Sequence, residues 1–188
     1  MEKFGETMSW NLYRLELILI LLFCSGCMTY QNFPSDRLTP ISPPPARRAA
    51  TLGYNIEGGS LFAGPAAIRN VIATEAPFTA SAPAENEHKL SYFLSVKITQ
   101  LPPSVPAVVF GYLSYATLTI LPFWSTHDGT ALTFILYKDG LQQKAKEYLI
   151  NRATFIWLPM LPVAWINFMT PSEEDAFAAS AREFLADI

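Results

Sequence analysis

The sequence predicts an α+β fold: an antiparallel sheet of about four strands, packed by two helices and carrying two apolar insertions rich in proline and aromatic residues. Three observations support this prediction. Residues 90–99 and 130–138 alternate apolar and polar side chains, as half-buried strands do. Residues 171–188 have the pattern of an amphipathic helix. The insertions, residues 105–124 and 153–170, contain no charged residue.

The composition excludes one broad class of function. The chain has 188 residues, of which 51% are hydrophobic and only 15% are charged, against roughly 25% in an average soluble domain. The net charge is −3 and the 13 Lys and Arg residues are scattered along the chain. Nucleic-acid binding needs a clustered basic face, so we do not expect it.

The first element is a predicted secretory signal over residues 1–26. Lys3 and Arg14 supply positive charge, residues 15–23 are apolar except for Glu16, and small residues precede Cys27. The apolar run is too short for a bilayer of about 30 Å. Met8 is an alternative start, and an uncleaved N-terminal helix is the alternative to cleavage.

Cys24 and Cys27 are the only cysteines, and their spacing allows two interpretations. A C-x-x-C pair also suits redox chemistry or half of a zinc site, but no second pair or histidine cluster follows. The run from Cys24 through Ser25 and Gly26 to Cys27 resembles the lipobox of bacterial lipoproteins, which signal peptidase II cleaves. Cys24 stands where that family usually has leucine, and the resemblance covers the first 27 residues.

This resemblance implies that Cys27 carries acyl chains and that the chain is membrane-anchored in the bacterial cell envelope. Several chains, at about 0.8 kcal/mol per buried CH₂, make such an anchor stable. Met28 follows the cysteine in place of the aspartate associated with inner-membrane retention, which favours the outer membrane. Residues 27–50 are proline-rich and predict an extended tether from the lipid to a domain over residues 51–188.

The domain is predicted to begin with a short strand over residues 52–57 and a helix that starts near Pro65. Ile68, Val71 and Ile72 share one face of this helix. After the strands at 90–99 and 130–138, Asp139-Gly140 predicts a hairpin turn. The returning strand covers residues 142–152.

The C-terminal helix has both a start signal and a core face. Ser172 and Asp175 form a capping-box pattern. The residues of its apolar stripe are Phe177, Ala181, Phe184, Leu185 and Ile188. The order of elements resembles small α+β domains of envelope accessory lipoproteins, such as those of curli secretion and of penicillin-binding-protein activation, over roughly residues 50–100 and the last helix. No motif is shared, so this likeness implies little about function.

The two insertions have three interpretations: a membrane span, a lobe that dips into a membrane surface, or ordinary core. A single span at 105–124 would separate strands 90–99 and 130–138, which must pair on one side of the bilayer. Pro159 and Pro162 interrupt the second insertion. The candidate membrane or partner contacts are Phe110, Tyr112, Trp124, Trp157 and Trp165.

No catalytic, cofactor or metal site is predicted. His88 lies in a polar loop, and Ser125, His127 and Asp128 surround a predicted turn, where such residues collect for backbone reasons. The leading hypothesis is a non-enzymatic accessory or assembly factor that is bound to a membrane and to an envelope protein partner. The alternatives are a lipid-handling or membrane-perturbing protein that uses the insertions and, more weakly, an envelope hydrolase built on His127 and Asp128.

Overall fold

The computed structural model describes residues 26–40, 48–59, 63–84 and 90–188, except for a few side chains. Those side chains, nine in all, are at positions 26, 48, 127, 161–164, 166 and 168. Most of the predicted signal peptide, part of the predicted tether (residues 41–47) and His88 lie outside the described residues.

The chain divides into two compact units. We call the first the apolar unit; its described residues are 26–29, 103–126 and 153–170. We call the second the core unit; it comprises the described residues of 30–102, with 127–152 and 171–188. Both sequence insertions, 105–124 and 153–170, therefore fall in the same unit as Cys27.

Six strands and three α-helices form along the described residues. The strands are β1 (Gly26–Gln31), β2 (Arg48–Glu57), β3 (Phe78–Pro83), β4 (Tyr92–Leu101), β5 (Phe123–Lys138) and β6 (Leu141–Ile156). The α-helices are α1 (Gly64–Glu75), α2 (Val105–Ala116) and α3 (Glu173–Ala186). Two 3-10 segments, Ser35–Arg37 and Leu158–Met169, complete the set.

The strands form one mixed sheet in the order β1-β6-β5-β4-β2-β3. β2 is parallel to both β3 and β4, whereas β4 is antiparallel to β5. The predicted α+β class is confirmed, but the prediction of about four antiparallel strands with two helices is wrong. Parallel neighbours require a crossover, and α1 supplies it between β2 and β3.

β3 and β1 are the strands that the sequence did not predict. In β3 only Phe78 is buried, so the strand has no apolar alternation to reveal it. Its position depends on pairing with β2, in which Thr51 lies opposite Ala80. β1 begins at Gly26, so part of the predicted tether is a strand beside β6.

The hairpin between β5 and β6 matches its prediction. Asp139 and Gly140 have φ angles of 51° and 79°, the positive pair that a type I′ turn needs. β5 is longer than predicted, because residues 125–129 continue the strand and do not form a turn. Gly129 makes this possible: a Cβ there would collide with the backbone carbonyl of Ile150 on β6.

The hydrophobic core lies wholly within the core unit. It joins α1 and α3 to the strands, and Phe184 of α3 stacks on Phe134 of β5 with ring centroids 5.2 Å apart. Ser172 and Asp175 form the predicted capping box at the start of α3. Of the predicted stripe, Phe177, Ala181, Phe184 and Leu185 are buried in this core, and Ile188 packs against it.

Candidate membrane-contact site

The apolar unit contains no charged residue at any of its described positions. Every Asp, Glu, Lys and Arg among the described residues therefore belongs to the core unit. A folded surface without a single charge is unusual, because Lys, Glu, Asp and Arg normally cover exposed surface. The packing within the unit shows which of its side chains face outward.

Helix α2 has large apolar side chains outside and small ones inside. Ser104 caps its first turn by accepting a hydrogen bond from the Ala107 backbone N–H at 3.4 Å. Only Ala107 and Ser114 are buried, two turns apart on one stripe. The exposed residues include Val105, Val108, Val109, Phe110, Tyr112, Leu113 and Tyr115.

The turn after α2 is strained and firmly held. Leu118 and Thr119 have φ angles of 50° and 59°, which side chains of this kind rarely adopt. The Ser114 hydroxyl donates to the Leu121 carbonyl at 2.8 Å, and the Thr119 N–H donates to the Ser114 carbonyl at 2.7 Å. These bonds also satisfy polar groups at the end of the helix, which otherwise lack partners.

The second apolar segment is attached to this turn. The Leu158 N–H donates to the Thr119 carbonyl at 2.9 Å, and the Trp157 indole N–H donates to the Ile120 carbonyl at 3.0 Å. Phe110 stacks on Trp124, with ring centroids 5.6 Å apart and planes inclined by 22°. The two sequence insertions thus form one structure.

The residue after Cys27 is bound to the same structure. The Met28 N–H donates to Oδ1 of Asn167 at 3.1 Å, and the Thr170 hydroxyl donates to the Met28 carbonyl at 3.3 Å. Cys27 itself is partly exposed and forms no disulfide. Sequence reasoning singled out neither Asn167 nor Thr170, since nothing local links them to a residue about 140 positions away.

The predicted contact residues all lie in the apolar unit. Tyr112 is 74% exposed, Trp165 58%, Trp124 52% and Phe110 46%, while Trp157 is partly buried. Fourteen of the sixteen exposed large hydrophobic residues in the described chain belong to this unit; the other two are Leu141 and Leu149. The buried residues of the unit, among its described side chains, are Ala107, Ser114, Ser125 and Thr154.

Within the residues that the structure describes, no helix has the length and apolarity to cross a membrane. The uncharged segment 105–124 is divided between α2, the turn and the start of β5. In segment 153–170, Leu158–Met169 form 3-10 turns. The prolines of this segment lack the backbone N–H groups that a regular α-helix would use as donors, which agrees with this structure.

A buried polar cluster lies in the core unit. Arg152 donates to Oδ2 of Asp128 from Nε at 2.9 Å and from Nη2 at 2.6 Å. Burial raises the pKa of the Tyr30 hydroxyl, the nearby Glu173 carboxylate acts in the same direction, and Arg152 opposes both. This cluster joins the end of β1 to β5, β6 and the start of α3, which is a structural role.

Of the residues of the hydrolase hypothesis, the structure describes the side chains of Ser125 and Asp128. Asp128 is 5% exposed and its carboxylate is engaged by Arg152. Ser125 is buried in the apolar unit, and the side chain of His127 lies outside the described set. No group of three metal-ligating side chains occurs among the described residues.

Comparisons with known proteins give only distant structural likenesses. No family model matches the chain, and no curated protein matches it. A Xanthomonas campestris protein of family DUF330 is 11% identical over 79% of this chain and 88% of its own, with a TM-score of 0.41. The PelC dodecamer of Paraburkholderia phytofirmans is 11% identical over 84% of this chain and 95% of its own, with a TM-score of 0.30.

Proposed function

We propose that the protein is a non-enzymatic lipoprotein of the bacterial envelope, anchored through Cys27, that holds the core unit close to a membrane for an envelope protein partner. The outer membrane is the proposed location. The observation that carries this proposal is the short connection between Cys27 and the folded core unit, in place of a long flexible tether.

The connection is short because the residues just after Cys27 are built into the core unit. Tyr30 and Phe33 pack against the hydrophobic core. Tyr30 is three residues from Cys27, so the chain between them spans at most about 10 Å. A lipid on Cys27 would therefore keep the core unit at the membrane surface, where a partner in the same membrane can be reached.

An arginine fastens the following segment. Arg182 of α3 donates from Nη1 to the Leu38 carbonyl at 2.7 Å and to the Arg37 carbonyl at 3.3 Å. Its Nε lies 3.0 Å from both carboxylate oxygens of Glu75 on α1. These bonds attach Arg37 and Leu38 to α3, which supports a short connection to the core unit.

The proposed partner surface is the face of the sheet opposite the core helices. On this face Lys97 of β4 lies opposite Thr133 of β5, and the partly exposed Tyr137 lies opposite Phe93, which is itself buried. Lys97 and Leu149 are exposed. Such a mixture of aromatic, polar and apolar side chains is typical of protein interfaces.

The test places a photo-crosslinking amino acid at Lys97 or Leu149 of the full chain in cells, with the exposed α1 residue Ala73 as the matched control position. We expect one discrete crosslinked envelope protein from the sheet face and none from Ala73. Acyl labelling that is lost in Cys27→Ser checks the anchor. Absence of acyl label, or identical crosslinking at all three positions, would overturn the proposal.

A lipid-handling function is the second candidate, and the uncharged apolar unit favours it. In this case the unit would take up acyl chains from the membrane. Transfer of labelled phospholipid between two vesicle populations, catalysed by the protein and reduced in Leu113→Glu, is the expected sign of this activity.

A further inference from the structure

We infer that the apolar unit inserts into one leaflet of a lipid bilayer, so that the protein binds membranes even without acyl chains on Cys27. The inference deepens the proposed function, on which it rests, by naming the bilayer as the occupant of the exposed apolar surface. α2 is about 18 Å long, against about 30 Å for the bilayer core, so insertion is interfacial.

The exposed surface has the composition that a bilayer accepts. The described residues of the apolar unit contain no charged group whose desolvation would oppose insertion. Tyr112 and Tyr115 are 74% and 81% exposed, and Trp124 and Trp165 are also exposed. Tyrosine and tryptophan combine an apolar ring with one polar group, which suits the boundary between headgroups and acyl chains.

The hydrogen bonds of the backbone at the end of α2 also suit a medium without water. Carbonyl groups at a helix end normally bond to water, and lipid offers no replacement. Here the Leu113, Ser114 and Tyr115 carbonyls accept from the Thr117, Thr119 and Leu118 N–H groups at 3.1, 2.7 and 3.0 Å, respectively. The strained left-handed turn thus pairs backbone carbonyls at the end of this apolar helix.

The position of Cys27 selects lipid over a second copy of the chain. Met28 is hydrogen-bonded to Asn167 and Thr170 of the apolar unit. Acyl chains on the adjacent Cys27 would bring this unit, through the bonds of Met28, to the bilayer. If two copies of the chain associated through this surface, the surface would have to leave the membrane. The lipid on Cys27 would hold it there.

The test is flotation of the mature chain from residue 27, carrying Cys27→Ser and exported behind a cleavable leader, with vesicles of phosphatidylethanolamine and phosphatidylglycerol. We expect it to float with the vesicles at low and at high salt, and with vesicles of phosphatidylcholine, which has no net charge, because the contact is apolar. Loss of binding at high salt would overturn the inference in favour of electrostatic attachment.

The matched variants are Leu113→Glu and Leu141→Glu. Both leucines are exposed, at 47% and 69%, but Leu113 belongs to the apolar unit and Leu141 to the core unit. We expect Leu113→Glu to weaken vesicle binding roughly tenfold or more and Leu141→Glu to leave it unchanged. Circular dichroism checks that both variants fold.

Two further results would overturn the inference. One is no flotation of the Cys27→Ser chain while the wild-type chain is acylated and membrane-bound, an outcome that leaves the proposed function intact. The other is an oligomer in solution that Leu113→Glu converts to a monomer without an effect on vesicles; the apolar surface would then join copies of the chain. Failure of acyl labelling in the wild type would instead contradict the proposed function.

Discussion

The two units of this protein bury opposite kinds of residue. In the core unit Phe134, Phe177 and Phe184 are almost fully buried, and the charged residues lie mainly at its surface. In the apolar unit the buried described side chains are small or carry hydroxyls, while Tyr, Trp, Val and Leu side chains are exposed. An apolar segment in the sequence therefore does not by itself indicate core; its charge and its packing partners decide which medium it faces.

The largest expected effect tests the difference between the two units most directly. Phe184→Ala should lower the free energy of unfolding by about 3–5 kcal/mol, because it leaves a cavity beside Phe134. Tyr115→Ala, at an 81% exposed position of the apolar unit, should change it by less than about 0.5 kcal/mol. Urea unfolding followed by circular dichroism measures both. Similar losses in the two variants would show that α2 is packed as core.

The next effect concerns the buried ion pair. Asp128→Asn should lower the free energy of unfolding by about 2–3 kcal/mol, because Arg152 would keep its charge and lose its carboxylate. We expect a smaller loss of stability than for breaking a fully buried ion pair, because the Arg152 side chain is 20% exposed. Asp139→Asn in the exposed hairpin turn is the control, and asparagine tolerates the same positive φ. Equal stability of the two variants would contradict a structural role for the pair.

A smaller effect is expected at the start of α3. Ser172→Ala should cost about 1 kcal/mol, because it removes the hydroxyl that accepts from the Asp175 N–H at 3.2 Å. The exposed Ser91 provides the control, and Ser91→Ala should be nearly neutral. Thermal unfolding of the two variants measures the difference. A Ser172→Ala variant as stable as the wild type would show that the cap does not stabilise the core unit.

The smallest effect is on alkaline stability. Burial raises the pKa of Tyr148 from 10.0 to about 12, with Glu183 acting in the same direction against Lys146. The unfolded chain loses this proton more easily than the folded one, so the contribution to stability is complete below pH 10 and is lost as the pH rises to about 12. Tyr148→Phe should lose less stability over this range. An identical loss in both chains would contradict the raised pKa.

Local signals allowed much of the core unit to be predicted. The alternation in β4, the Asp139-Gly140 turn and the Ser172 cap each act over a few residues, so the sequence reveals them directly. β3 was missed because Thr79, Ala80 and Ser81 contain no large apolar side chain, and only parallel pairing with β2 places them. Residues 126–129 were predicted as a turn because the partners that straighten them, Arg152 and the Ile150 backbone, are more than twenty positions away.

The candidate site was predictable in composition but not in arrangement. The absence of charge in 105–124 and 153–170 identified both insertions. The insertions are joined by hydrogen bonds between groups that are distant in the sequence. Leu158 and Trp157 donate them to the Thr119 and Ile120 carbonyls. The same holds for the bonds of Met28 to Asn167 and Thr170, which attach the residue next to Cys27 to the apolar unit.

The most direct test of the inserted apolar unit is tryptophan fluorescence. The chain has four tryptophans; Trp10 lies in the predicted signal peptide, and Trp124, Trp157 and Trp165 all lie in the apolar unit. Emission from the mature Cys27→Ser chain therefore reports on this unit alone. Addition of vesicles with brominated acyl chains should shift the emission to shorter wavelength and quench it. Emission that vesicles neither shift nor quench would contradict the account and show that the apolar unit does not enter the membrane.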